Sequence, residues 1–457
     1  MRILHTADWH LGNSMHDIDR RNEQKGFLDW LLQVVKNEKI DTLIVAGDIF
    51  DTYGPPNWAM KIYYAFLASL SNTDCNNVIL VGGNHDSGNL LDAPEDLLSA
   101  LNIHMVGNAA NKSLEDMVFE LKDSNGDICA ICAALPFVTD IYLSQFCEDR
   151  RECENGKFSD IVYSELYKKL LEIAKEKRSG KDIPIITTGH LYAAGLEGRY
   201  EGVEKETGTD DGVRVLDVVG NLGKVHVNSF PDEFDYVALG HIHYATKVGK
   251  NKKVRYSGSP FVMGFDESEI PHYVLLVDLN EGNEPLTVHA IETPCPILYK
   301  RLSGSLEDIQ NQLAEIIVQA TSETPDHELY CLEMYYSPSI AVALRDYIDD
   351  IRLPQNVRIC SWNVNRTKKN GTAGFEGEDI KSLRNIGAKE IFRQLVYAKS
   401  DIEKEGLTEE EYQKKLDEEY EQLLPFYMKA IEKAKAEANI KNSKEDEKPE
   451  GSANENT

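Results

Sequence analysis

From Arg2 to Glu292 short apolar runs alternate with amphipathic stretches. The runs are Arg2–Thr6, Thr42–Ala46, Val78–Val81, Val254–Ser257, Tyr273–Leu279 and Leu286–Glu292. Between them, Asn22–Asn37 carries Phe27, Trp30, Leu31, Val34 and Val35 at helical spacing. Trp58–Leu70 and Leu91–Leu101 read as further helices. Strands that alternate with helices predict βαβ units around a largely buried sheet.

Pro294-Cys295-Pro296 punctuates the chain, and the pattern then restarts as β-α-β-α-β. Its segments are Ile297–Leu302, Leu306–Gln319, Leu329–Tyr335, Ile340–Ile351 and Val357–Val364, a small α+β unit with no cluster of metal-type ligands. A polar link follows at Lys368–Gly377, and 387–438 is helical in composition, with Leu395, Leu416, Leu423, Leu424, Phe426, Tyr427 and Ile431. Asn442–Thr457 has almost no apolar residue and is expected to be disordered. The expected divisions are 1–293, 294–367, 368–440 and an acidic tail at 441–457.

The length of 457 residues agrees with more than one core. No apolar run is long enough for a transmembrane helix. Asp8 is a candidate site residue, so a cleavable leader would remove it, and a cytoplasmic location is expected. Of eight cysteines, Cys129 and Cys132 form a CxxC inside the apolar run Ile128–Leu135 and read as strand cysteines. Cys147 and Cys153 fall in a polar stretch, and a structural disulfide is not expected in a reducing compartment.

The net charge is −28, and residues 401–457 account for part of it with 17 Asp/Glu against 9 Lys/Arg. Such acidity opposes tight, non-specific binding of a polyanion by this chain alone. It leaves room for a small cleft whose own metal ions supply the positive charge.

Five short motifs sit at the ends of apolar runs: Asp8-Trp9-His10, Gly47-Asp48, Gly83-Asn84-His85-Asp86, Gly189-His190 and Gly240-His241-Ile242-His243. Loops that leave the carboxyl edge of an α/β sheet converge there, and glycines at 47, 83, 189 and 240 are expected to turn the backbone onto the site. Asp8, His10, Asp48, Asn84, His190, His241 and His243 offer carboxylate, amide and imidazole donors, enough for two divalent ions. This mixed oxygen and nitrogen set suits Mn²⁺, Fe²⁺ or Zn²⁺ better than Ca²⁺. Two ions roughly 3.5–4 Å apart can clamp both the attacking and the leaving oxygen of a phosphoester. His85 is placed to assist the leaving oxygen. Asp86 is expected to orient His85 or to cap the helix after it. His5, His16, His104, His226, His272, His289 and His327 lack such context and read as structural.

In this order the motifs resemble the calcineurin-like metallophosphoesterase superfamily. Thr6-Ala7-Asp8-Trp9-His10-Leu11-Gly12, Phe27–Leu32, Ala46–Asp51 and Tyr256-Ser257-Gly258-Ser259-Pro260 narrow the resemblance to its SbcD family of nuclease subunits, over 1–365 in layout. The resemblance implies a four-layer α/β β-sandwich flanked by helices, with a capping domain and C-terminal helices. It also implies two manganese ions, one on Asp8, His10, Asp48 and His243, the other on Asp48, Asn84, His190 and His241. It further implies an ATP-stimulated 3′–5′ double-strand exonuclease and hairpin endonuclease. The implied partner is an SbcC-type SMC-like ATPase, and Trp58–Leu70 and Leu91–Leu101 become candidate homodimer elements within a heterotetramer. A small-molecule phosphatase would need neither C-terminal unit, and a non-catalytic scaffold should have lost some of these ligands. The acidic stretch Glu197–Asp211 departs from expectation, since near the site it would repel DNA.

Overall fold

The computed structural model describes residues 1–146, 158–194, 196–199, 225–248, 251–281 and 284–364, together with helical positions 412, 414–417 and 420–424. Met1–Asn365 form one compact unit, and Arg366–Thr457 form a second. The expected link, most of the C-terminal helical segment, the tail, Cys147, Cys153 and all of the acidic stretch beyond Arg199 lie outside the described residues.

The first sheet has six strands, in the order Glu284–Glu292, Tyr273–Glu281, Arg2–Thr6, Thr42–Ala46, Asn77–Val81 and Ile103–Val106. The last four are mutually parallel, and Tyr273–Glu281 joins Arg2–Thr6 antiparallel. The second sheet has seven strands, in the order Val118–Lys122, Ile128–Leu135, Ile185–His190, Tyr236–Gly240, Asn251–Tyr256, Thr246–Val248 and Leu196–Arg199. Its four strands from Ile128–Leu135 to Asn251–Tyr256 are parallel.

Side-chain alternation explains the layering. Ile3, Ile44, Ile79 and Val81 leave one face of the first sheet and cluster with Cys132, Ile186 and Ala238, which share one face of the second. Leu4, Leu43, Val45, Val78 and Leu80 leave the other face and pack on the helices Arg21–Asn37 and Asn57–Leu70. A strand buried on both faces can be apolar at every position, which is why these runs are continuous. A helix that the sequence reading does not single out, Phe158–Arg178, covers the second sheet with the stripe Val162, Tyr163, Leu166, Tyr167, Leu170, Leu171 and Ala174. The architecture is therefore helix, sheet, sheet, helix, the expected four layers. No helix among the described residues is long and apolar enough to cross a membrane.

The expected helix Leu91–Leu101 is instead two short ones, Gly88–Asp92 and Glu95–Ser99. Pro94 lies at the break, where its ring denies the backbone an N–H for the helical ladder. Cys129 and Cys132 do lie in the strand Ile128–Leu135.

The third sheet is small and parallel: Ile297–Gly304, Leu329–Tyr336 and Val357–Val364, with helices Leu306–Ala320 and Ala341–Asp350 between them. Ser305 and Asp308 close a capping box at the start of the first helix. Leu302, Tyr330, Leu332 and Met334 face these helices. Ile297, Tyr299 and Cys331 face the other way, onto Met15, Ile18, Val262 and Phe265 of the larger body. Arg20 lies in that seam, its guanidinium 5.4 Å from the Phe261 ring centre and 5.3 Å from that of Tyr299.

Candidate metal centre

All five motifs emerge at carboxyl ends of parallel strands, three from the first sheet and two from the second. Face-to-face stacking brings these two edges to one cleft. The first two loops run side by side, tied by backbone bonds from Asp8 N–H to Gly47 O, His10 N–H to Asp48 O and Leu11 N–H to Ile49 O, each 2.9 Å. The His241 N–H donates to the Asp8 carboxylate at 2.9 Å and so locks the second sheet's edge to the first.

The backbone turns on the candidate ligands more than on the glycines beside them. Asp8 (φ 53°), His10 (43°), Asp48 (50°) and His241 (102°) all occupy left-handed conformations, which non-glycine residues avoid. Strain of this kind gathers at functional sites because the surrounding structure over-determines it. Of the four glycines expected to turn the chain, only Gly47 has a positive φ, 90°. Gly240 is required for close approach instead, since a Cβ there would strike the Ala46 carbonyl oxygen.

Besides a group of His10, Asp51 and His85, the expected ligands form two overlapping groups. Asp8, His10 and His243 bring ligand atoms within 4.8 Å of one another, and so do Asp8, Asp48 and His190. Asp48 Oδ2 is 3.3 Å from His190 Nε2 and 3.6 Å from His10 Nε2, so its carboxylate lies between the groups. Asn84 Oδ1 is 3.0 Å from both His190 Nε2 and His241 Nδ1. All seven expected ligands are thus brought together. Asp8 stands in both groups, whereas the resemblance places it with one ion only.

Asp8, His10, Asp48 and His190 are buried, and both ring nitrogens of His10 are enclosed without a hydrogen-bond partner. Buried polar atoms of this kind are costly unless something else satisfies them. The hard and borderline donors, with no thiolate among them, fit a pair of divalent ions.

Partners outside the ligand set fix the ring orientations. His190 donates its Nδ1–H to the Ala46 carbonyl at 2.8 Å, which turns Nε2 to the site. His243 Nδ1 is 3.2 Å from Glu267 Oε1, an acid that the motifs do not reveal. Only its wide separation from them hides it. Carboxylates behind ligating imidazoles raise their basicity. Glu267→Gln is expected to weaken metal binding about 10–100-fold, read by titration of the metal-stripped protein.

His85 is exposed, and its Nδ1 bonds the Asp51 carbonyl at 3.0 Å. Asp86, expected to orient that ring or to cap a helix, does neither. Its buried carboxylate accepts N–H bonds from Ile49 (3.0 Å), Phe50 (2.8 Å) and Gly83 (2.9 Å), pinning the Gly47 loop to the Gly83 loop. Burial, with the Asp48 charge added, pushes the Asp86 carboxyl up to about 6. Asp51, a second residue to which the sequence assigns no role, also receives Asn13 Nδ2–H at 2.9 Å and lies 3.3 Å from His10 Nδ1. His5 is structural as expected, buried and bonded to Tyr236 and the Leu239 carbonyl.

Charges in the cleft are strongly coupled. Burial opposes the imidazolium of His190, but Asp48 and Asp8 outweigh it and raise the ring to about 9. His243 is also raised to about 9, where burial is outweighed by Glu267, Asp8 and Asp48. Burial, then repulsion from His190, lowers His241 to about 3. Burial would raise Asp48, but His190 and His10 hold it well below the usual carboxylate range. Asp8, where burial wins, is raised.

In metal-stripped protein these raised histidines stabilise the fold below their ordinary pKa, and the contribution fades as pH climbs through about 9. Metal must displace the same protons. Affinity is therefore expected to tighten from neutral pH up to about 9, by as much as about tenfold per pH unit for each proton released. Calorimetric titration in buffers of different ionisation heat reads that release. An affinity independent of pH over this interval would contradict it.

Carboxylates, imidazoles and an amide, gathered where two stacked sheets meet, define a metallophosphoesterase. Residues 1–245 match the family model of the calcineurin-like phosphoesterases. The chain is 31% identical over 401 residues to the SbcD polypeptide of nuclease SbcCD from Escherichia coli (strain K12), covering 86% of this chain and 92% of that protein. It is 33% identical over 312 residues to the SbcD polypeptide of Rhodobacter capsulatus, covering 67% and 73%. For that of Bacillus subtilis the figures are 30% over 320 residues, 69% and 76%. The chain belongs to the SbcD family within the calcineurin-like phosphoesterases.

Proposed function

We propose that this chain is the nuclease subunit of a DNA-processing complex, hydrolysing phosphodiester bonds at double-strand ends and in hairpins. Its partner in this reading is an SbcC-type SMC-like ATPase, with ATP stimulating 3′–5′ exonuclease action. The observation that carries it is the reach of the likeness: the match to the E. coli nuclease polypeptide covers 86% of the chain, well past the phosphoesterase residues 1–245. A phosphatase for small substrates needs no such extension. Residues 294–367 would act as the capping domain, 368–440 as linker and ATPase-docking segment, and 441–457 as a tail. Two chains would pair through the helices around Asn57–Leu70 and Gly88–Ser99 in a cytoplasmic heterotetramer.

Asp8, His10, Asp48 and His243 would hold one manganese ion, and Asp48, Asn84, His190 and His241 the other. When bound, the ions supply positive charge to the scissile phosphate and polarise its oxygens. The chain's own residues do the rest. Asp8 and Asp48, buried beside imidazoles, set the donor positions. His85 has its Nδ1 engaged by the Asp51 carbonyl, which leaves Nε2 as the ring atom to assist the leaving oxygen. His85→Ala is expected to cut turnover by about 10²–10⁴-fold with metal content unchanged, measured by product formation beside elemental analysis.

The small sheet reaches this machinery through a chain of contacts. Arg20 lies against Tyr299, donates to Asn13 Oδ1 at 3.1 Å, and Asn13 in turn holds Asp51. Movement of the cap would thus be felt at His85. The test is reconstitution with the co-purified ATPase, manganese and ATP on end-labelled duplexes and hairpins. If the complex left every end and hairpin intact while turning over a small phosphoester, the nuclease reading would be abandoned.

A further inference from the structure

The loop that continues from the Gly47-Asp48 motif has a short exposed tip held between two anchors. Asp51 anchors one end. Its N–H donates to the Leu11 carbonyl at 3.2 Å, and its own carbonyl holds His85 Nδ1 at 3.0 Å. At the other end Pro55 is buried, and Pro56 packs so closely on Gly12 that a Cβ there would lie 2.8 Å from the Pro56 ring. Consecutive prolines fix φ and stiffen this return. Between the anchors Thr52, Tyr53 and Gly54 are exposed.

Tyr53 is 68% exposed, and its ring has no aromatic, cationic or hydrogen-bonding partner among the described residues. Other rings of the surrounding loops are engaged. His16 lies 5.2 Å from Phe265, Phe50 lies 5.1 Å from Tyr63, and the Arg21 guanidinium lies 5.6 Å from Trp58. Tyrosine presents a large apolar face at little conformational cost, the property that enriches it at binding surfaces. Two residues of chain span at most about 7 Å, so the Tyr53 backbone stands within that distance of the carbonyl that holds His85. A DNA strand advances about 3.4 Å per nucleotide, which makes this a separation of one or two nucleotides.

Charge decides what kind of contact such a residue makes. The chain carries −28, and Gly47–Trp58 contains Asp48 and Asp51 but neither lysine nor arginine. Neutralising phosphates takes cations that this loop does not have. Stacking of a base on an aromatic ring takes none, and it accepts any base because each has a π-face. We propose that Tyr53 is a substrate-binding residue that stacks on the nucleobase beside the scissile phosphate, on the side of the leaving oxygen. The proposal rests on the nuclease reading above and deepens it. The metal-type donors act on the phosphate, and Tyr53 adds a grip on the nucleotide that carries it.

The complex with its co-purified ATPase, manganese and ATP tests this on two end-labelled duplexes. They differ only at the nucleotide on the leaving side of the first bond cut, natural in one and an abasic tetrahydrofuran in the other. For the native chain, loss of the base is expected to raise KM about 5- to 150-fold with little change in kcat. Tyr53→Ala should raise KM on the natural duplex by a similar factor and bring the two duplexes level. Tyr53→Phe, which keeps the ring face, should preserve the difference. A merely structural role would penalise both duplexes alike. Equal losses on the two duplexes, or no loss on the natural one, would overturn the proposal and leave the nuclease reading standing. Failure of the native complex to cut either duplex would remove that reading and the proposal with it.

Discussion

Replacing Asp48 by alanine is expected to lower phosphodiester hydrolysis by at least about 10⁴-fold, near 5.5 kcal/mol of transition-state stabilisation. The Asp48 side chain serves three groups at the centre of the cleft. One carboxylate oxygen lies between His10 and His190, and the other accepts the His85 backbone N–H at 2.9 Å. Its loss would remove a donor that lies between the two groups of candidate ligands and release the loop that carries His85. Metal content should fall from two ions per chain to fewer than one. Asp48→Asn keeps the shape but loses the charge and one oxygen, so it should retain one ion and little turnover. An alanine variant that kept two ions and a tenth of its activity would refute the bridging role.

The largest effect on stability is expected at Arg20, far from any motif. Its side chain is buried and bonds Glu23 at 2.6 Å while its face meets Phe261 and Tyr299. Arg20→Met would leave the Glu23 carboxylate buried without its partner, a loss of about 3–5 kcal/mol. Burial already raises Glu23 even with Arg20 opposing. A carboxyl raised in the folded state favours folding when protonated, below its ordinary pKa near 4.5, and this is lost as pH rises through its folded value. The Arg20→Met deficit should therefore shrink in mild acid. Arg20→Met with Glu23→Leu should recover most of it at neutral pH, because a well-packed apolar pair often equals a buried ion pair. Denaturant unfolding of the four proteins at two pH values measures both effects. A deficit equally large in the double variant would show that lost packing, not the orphaned charge, dominates.

Much of the catalytic layer is legible in the chain. Runs such as Thr42–Ala46 are apolar throughout because their strands are covered on both faces. The residues after them are polar because they emerge at one open edge. A strand end, a glycine and a ligand are neighbours in sequence, so a linear pattern records them. The break at Pro94 is legible too, although the apolar periodicity around it masks the proline. The helix Phe158–Arg178 also carries its stripe in plain view.

Other features have no local signature. Asp86 looks like a partner for its neighbour His85, but its buried oxygens are drawn to three backbone amides, and the Asp51 carbonyl takes the ring instead. Glu267 stands behind His243 from 24 residues away. The left-handed turns at Asp8, His10, Asp48 and His241 fall on residues whose type gives no hint of them.

The sequence by itself determined the alternation of strands and helices, the metal-type donors and their order, because periodicity and the ends of apolar runs follow from local chain geometry. The tertiary structure alone decided which donors gather into each group, which partners orient His190 and His243, and how Arg20 joins the small sheet to the cleft. Each of these rests on contacts between residues distant in the chain. Burial then gives those contacts their energy, and no linear spacing encodes it.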